Sequence, residues 1–122
     1  MARARFHHAV GTAESTALRL AIRDRALIDS VLVDLERNLA VSALDERVHA
    51  LVQLGALIAT GACVSSFTAT VEDALAAGAT AEEIVGTVVA VMPLVGTARA
   101  VKAAPQIALA LGYDVDEALE GP

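Results

Sequence analysis

One cysteine, one tyrosine, two phenylalanines and no tryptophan occur in this chain of 122 residues. A single thiol, Cys63, excludes an internal disulfide framework and any Cys-x-x-Cys pair. The shortage of aromatics argues against a sheet sandwich, whose core draws on aromatic and β-branched side chains. Basic residues are scarce as well: nine Lys and Arg face fifteen Asp and Glu, a net charge of −6. Phosphate binding needs a basic face, so no nucleic-acid partner is expected. A membrane-length apolar run is also missing. The longest stretch, Ile84 to Ala98, is interrupted by Gly86, Thr87, Pro93 and Gly96, and falls short of the roughly 20 residues that cross a bilayer. Behind Arg3 and Arg5, a leader's apolar segment is broken by His7, His8, Gly11, Thr12 and Glu14. The expectation is a soluble, cytoplasmic protein with no membrane partner.

What the chain does have is an excess of apolar side chains, 56% of its residues and mostly Ala, Val and Leu. A small domain leaves much of its surface exposed and cannot bury that much by itself. Obligate oligomers cover such surface between subunits, so a homo-oligomer is expected. No internal repeat, low-complexity linker or composition shift marks a boundary. Residues 1–14 read as an N-terminal arm, loose up to Gly11, with His7 and His8 at its surface, and 15–122 as one domain.

Periodicity makes that domain all-α. Ile28, Leu32, Leu35 and Leu39 form a helical stripe within 15–40, and Leu18 and Ile22 fall out of phase with it. A break near Arg23-Asp24-Arg25 reconciles the two. A second helix is expected from Leu44 to Thr60, with Leu44, Val48, Leu51, Leu54 or Gly55, and Ile58 buried and Asp45-Glu46 in its first turn. A third covers 66–77, with Phe67, Val71 and Leu75 stacked and Gly78 closing its C-terminus. Thr80 and Glu83 have the spacing of a capping box. The helix they start, to about Val95, is apolar on nearly every side and is expected to be central or interfacial, with Pro93 kinking it or marking its last turn. A fifth segment reaches Leu111 and contains Pro105, a residue able to divide it, and Asp114 and Glu117 can cap a short last turn from Asp116 to Leu119.

Four elements together carry a family resemblance. Leu44-Asp45-Glu46-Arg47-Val48-His49-Ala50-Leu51 resembles the "LD-x-R-T-R-x-L" segment of carboxymuconolactone decarboxylase-like proteins. Gly61 and Cys63 follow, then "A-L-x-A-G-A-T-x-E-E-I" at Ala74 to Ile84, and Gly96 stands where the family has Gly-x-Pro. The resemblance implies an AhpD-like antiparallel helical bundle assembled as a trimer or hexamer. In AhpD-like members a Cys-x-x-Cys pair, an upstream glutamate and a following histidine perform disulfide or peroxide chemistry. Here Cys63 fills the first cysteine position, Ser66 the second and Thr70 the histidine, while the glutamate position falls near Ala50 or Leu51. Serine cannot resolve a disulfide, so thiol peroxidase activity is not expected. The decarboxylase branch lacks the cysteines but keeps the histidine, where Thr70 offers a hydroxyl with no group titrating near neutrality.

Cys63, Ser66, Thr70 and Asp73 fall on one helical line, so a pocket there is lined by small polar groups. The competing reading packs Cys63 as a small hydrophobe, with the hydroxyls on backbone carbonyls. His49 follows Asp45 by four and Glu46 by three, which makes it the best general acid or base, although the stripe it shares with Gln53 also reads as a solvated face. Arg99 and Lys102, the two basic residues after Arg47, share a face at i, i+3 in apolar surroundings. They suit a carboxylate-bearing ligand, or else ion pairs with Glu82, Glu83 or a neighbouring subunit. Gly96-Thr97 just before them offers helix N-terminal amides. No histidines and carboxylates have metal spacing, and no cofactor is expected. The reading is a decarboxylase-like lyase on a small cyclic or lactone carboxylic acid. Arg99, Lys102 and Ser66 would bind the substrate, and His49, Thr70 and Cys63 would act on it. The alternative is a non-catalytic oligomeric module that binds ligands or supports assembly.

Overall fold

The computed structural model describes the backbone of residues 2–121 and the side chains of residues 12–118 and 120–121. The side chains of His7 and His8 lie outside the described residues. The chain divides into two compact units, Met1–Ala43 and Leu44–Pro122. All described regular structure is helical, and no strand occurs among the described residues.

The first unit holds α1 (Ala2–Ala21), α2 (Arg25–Val33) and α3 (Leu35–Ser42). α1 runs through Gly11, where the sequence pattern predicted an irregular arm. The expected break falls at residues 22–24, where Arg23 takes φ 61°. Asp24 then caps α2, accepting from the backbone N–H groups of Ala26 at 3.0 Å and Leu27 at 3.3 Å. Arg19 donates to the other carboxylate oxygen at 2.7 Å, and this hydrogen bond is the largest cause holding the Asp24 carboxyl below its ordinary value. A second break, at Asp34, interrupts the stripe predicted to be continuous. Asp34 ends α2 and caps α3 at once, accepting from the Arg37 N–H at 3.1 Å. The Asn38 amide bonds back across the break to the Val31 carbonyl at 2.8 Å. Short polar side chains compete with the helix for its own backbone groups, and here the competition ends it.

The second unit holds α4 (Glu46–Thr60), α5 (Val64–Ala76), α6 (Ala81–Val95), α7 (Thr97–Ala110) and α8 (Val115–Glu120). Asp45 is the N-cap of α4, accepting from the Val48 N–H at 2.8 Å, so the helix begins after Leu44 and leaves that side chain exposed. The buried face of α4 is His49, Ala50, Leu54, Gly55 and Ile58. Val48 and Leu51, predicted to be buried, are only half-buried. A Cβ on Gly55 would meet Val91 Cγ1 at 3.3 Å, so the missing side chain permits the close approach of α4 and α6. On α5, Phe67 and Val71 are buried as expected, but Ala74 takes the third place and Leu75 is exposed.

Gly78, at φ 97°, follows α5 and frees the chain to turn into α6. The capping box forms: Thr80 Oγ1 accepts from the Glu83 N–H at 3.1 Å, and Glu83 Oε1 accepts from the Thr80 N–H at 3.0 Å. Pro93 lies in the last turn of α6, as one of the two expected outcomes. α6 was expected to be central or interfacial, and one chain covers only part of its apolar surface. Ile84 is its buried side chain, whereas Val85, Val89 and Leu94 are exposed at 42%, 62% and 88%. Pro105 does not divide α7, which is continuous from Thr97 to Ala110. Asp114 caps α8 through the Glu117 N–H at 2.8 Å. α4 packs against α5, α6 and α7, and α7 also packs against α5 and α6. Leu54, Ile58, Phe67, Val71, Ile84 and Ile107 fill the space between them.

Candidate ligand site

The end of α4 determines the site. Its last carbonyls have no partner within the helix. Gly61, at φ 70°, lets the chain turn so that its own N–H reaches the Ile58 carbonyl at 3.3 Å and the Ala62 N–H reaches that of Leu57 at 3.1 Å. The Ala59 carbonyl is met from elsewhere: Arg99, in the first turn of α7, donates to it through Nη1. The cation also suits the negative end of the α4 dipole.

Arg99 also lines a pocket of about 210 Å³, together with Ile58, Thr60, Gly61, Ala62, Phe67, Lys102 and Ala103. Its body is apolar. Arg99 and Lys102 are its charged groups, and no carboxylate lines it. Lys102 has no hydrogen-bond or ion-pair partner among the described residues. Arg99 does not pair with Glu82 or Glu83, the carboxylates considered from sequence. Glu83 is already engaged by Arg47 and by the Thr80 N–H, and Arg99 holds a carbonyl. With Nη1 on Ala59, the other guanidinium donors are free for an anion in a fixed orientation. Gly96, the N-cap of α7, makes no side-chain capping bond, and neither it nor Thr97 lines the pocket.

Ser66 and Thr70 lie elsewhere. With Gln53, Ala56, Leu57 and Ala69 they line a separate groove of about 440 Å³ between α4 and α5. That groove is uncharged. His49 is buried rather than on a solvated face, and it lines neither concavity. Asp73 is exposed. The six candidate residues therefore do not share one pocket: Arg99 and Lys102 line one, Ser66 and Thr70 line another with Cys63 beside Ser66, and His49 lines neither.

Cys63 is the N-cap residue of α5 and is exposed, not packed as a small hydrophobe. Its Sγ lies 3.3 Å from Ser65 Oγ and 3.4 Å from Ser66 Oγ. Hydrogen bonds from Ser65 first, then Ser66, favour the thiolate and bring the thiol down to about 7. The rate of alkylation by iodoacetamide is therefore expected to climb through pH 7 as the thiolate forms. Ser65→Ala should move that midpoint upward. A midpoint in the ordinary thiol range for the native protein would contradict the geometry.

Against this geometry, a family model described as "Carboxymuconolactone decarboxylase family" matches residues 30–109, well over half of the chain. The chain belongs to that family. No match to a curated protein or to a solved structure was found. In this carboxymuconolactone decarboxylase family member the matched region includes every candidate site residue, from His49 to Lys102.

The residues that sequence reasoning missed are contacts between distant segments. The pairing of Arg47 with Glu83 ties the start of α4 to the capping box of α6, and the Ala59 carbonyl orients Arg99. Neither had a local signal. No group of three or more possible metal ligands occurs among the described residues, and no described helix is long and apolar enough to cross a membrane.

Proposed function

We propose that this carboxymuconolactone decarboxylase family member binds a small cyclic or lactone carboxylic acid in the pocket of Arg99 and Lys102, and that it acts there as a decarboxylase-like lyase. The observation that carries the reading is the pairing of two cations with an apolar body and no lining carboxylate. Such a pocket accepts a hydrocarbon ring and anchors its carboxylate by charge-assisted hydrogen bonds. A pocket of about 210 Å³ suits a small molecule and no polymer.

The proposal extends to a cytoplasmic homo-oligomer, trimer or hexamer, in which residues 15–122 act as one antiparallel helical domain. Val85, Val89 and Leu94 of α6, with Val101 and Leu109 of α7, expose the apolar surface that such an assembly covers. A second reading, the non-catalytic binding module, is favoured by one specific observation. His49, Ser66 and Thr70 do not line the cationic pocket. Both readings share the binding step. Calorimetric titration with a panel of small mono- and dicarboxylic acids is expected to show saturable binding for cyclic acids and none for their neutral amides. Equal binding of acid and amide would contradict both readings.

A further inference from the structure

The proton mover expected from sequence, His49, is not in the cationic pocket. If the acid binds there, the proton must come from a group that lines it or from water. Of the lining residues Ile58, Thr60, Gly61, Ala62, Phe67, Arg99, Lys102 and Ala103, only the two basic side chains carry a nitrogen acid. A guanidinium does not give up its proton in proteins, whereas a lysine ammonium serves as a general acid. Arg99 is further committed to the Ala59 carbonyl. Lys102 is held by nothing among the described residues, so its flexible stem is free to bring Nζ to a ligand.

We infer that Lys102 is the catalytic proton donor of the pocket. The inference rests on the reading that the pocket holds a lactone carboxylic acid. In an unsaturated lactone acid, the bond between ring carbon and carboxylate breaks and carbon dioxide leaves. The bonding pair moves through the ring into the lactone carbonyl, giving a dienolate. The guanidinium of Arg99, fixed by its carbonyl contact, and the ammonium of Lys102 offset the negative charge. Lys102 then transfers one proton from Nζ to the dienolate carbon, and the neutral amine recovers a proton from water. Atoms and charge balance with no oxidant or reductant.

The test compares native protein with Lys102→Arg and Lys102→Met, using carboxymuconolactone as the reactive probe and γ-butyrolactone γ-carboxylate as an unreactive one. Arginine keeps the charge but cannot release the proton. Lys102→Arg is therefore expected to bind the unreactive acid within about threefold of native while kcat for carbon dioxide release falls by about 100-fold or more. Lys102→Met should lose affinity as well as turnover. Native-like turnover in Lys102→Arg would overturn the assignment, because charge alone would then suffice. Native protein that binds the unreactive acid but releases no carbon dioxide would overturn it too, leaving the binding proposal intact. Native protein that neither binds nor turns over would remove the proposal on which the inference rests.

Discussion

Leu54→Ala is expected to lower the stability of the fold by about 2–5 kcal/mol, the range for truncating a fully buried leucine. Leu54 is 0% exposed and belongs to the cluster that joins α4 to α5, α6 and α7. Removing its side chain forfeits both the transfer free energy of the lost carbons and the packing contacts around the cavity left behind. The neighbours cannot close in freely. Ile58, one turn along, is also fully buried, and Gly55 already sits against Val91. Urea denaturation should show a lower midpoint with an unchanged slope. Leu54 lines neither the pocket nor the groove, so acid affinity under native conditions should stay within about twofold. A loss of less than about 1 kcal/mol would mean that the cluster does not support the fold as described.

Arg99→Ala is the second change with a large expected effect, and it acts on two quantities. The acid should bind about tenfold to a hundredfold more weakly, corresponding to a charge-assisted contact of roughly 1.5–3 kcal/mol. Stability should fall as well, by about 0.5–1.5 kcal/mol, because the Ala59 carbonyl loses its donor and must turn to water. Arg99→Lys separates these effects. It retains a charge near the anion but not the fork that holds a carbonyl and a carboxylate together, so affinity should recover only in part. Calorimetric titration beside a denaturation curve reads both quantities. Lost stability with unchanged affinity would make Arg99 a helix cap and nothing more.

Local signals in the sequence translated well into structure, and signals that depend on distant segments did not. The capping box at Thr80 and Glu83 and the turn at Gly78 were legible because their partners lie within four residues. The break at Asp34 was not. Leu32, Leu35 and Leu39 keep helical phase across it, and only the capping bond to Arg37 and the Asn38 return bond reveal it. The exposed apolar face of α6 was legible as a surplus, but whether one chain buries it depends on packing that periodicity does not encode. At the site, the i, i+3 spacing showed that Arg99 and Lys102 share a face. The Ala59 carbonyl that orients Arg99 lies forty residues earlier. The stripe Asp45, His49 and Gln53 read as solvated, yet His49 is buried and Asp45 has its carboxylate on the helix N-terminus.

The most direct measurement of the central claim is a crystal structure of the native protein with γ-butyrolactone γ-carboxylate bound. The account predicts density for the acid in the pocket, its carboxylate within hydrogen-bond distance of Arg99 and Lys102 and its ring against Phe67 and Ala103. Density instead in the groove of Gln53, Ser66 and Thr70, with the cationic pocket empty, would contradict it.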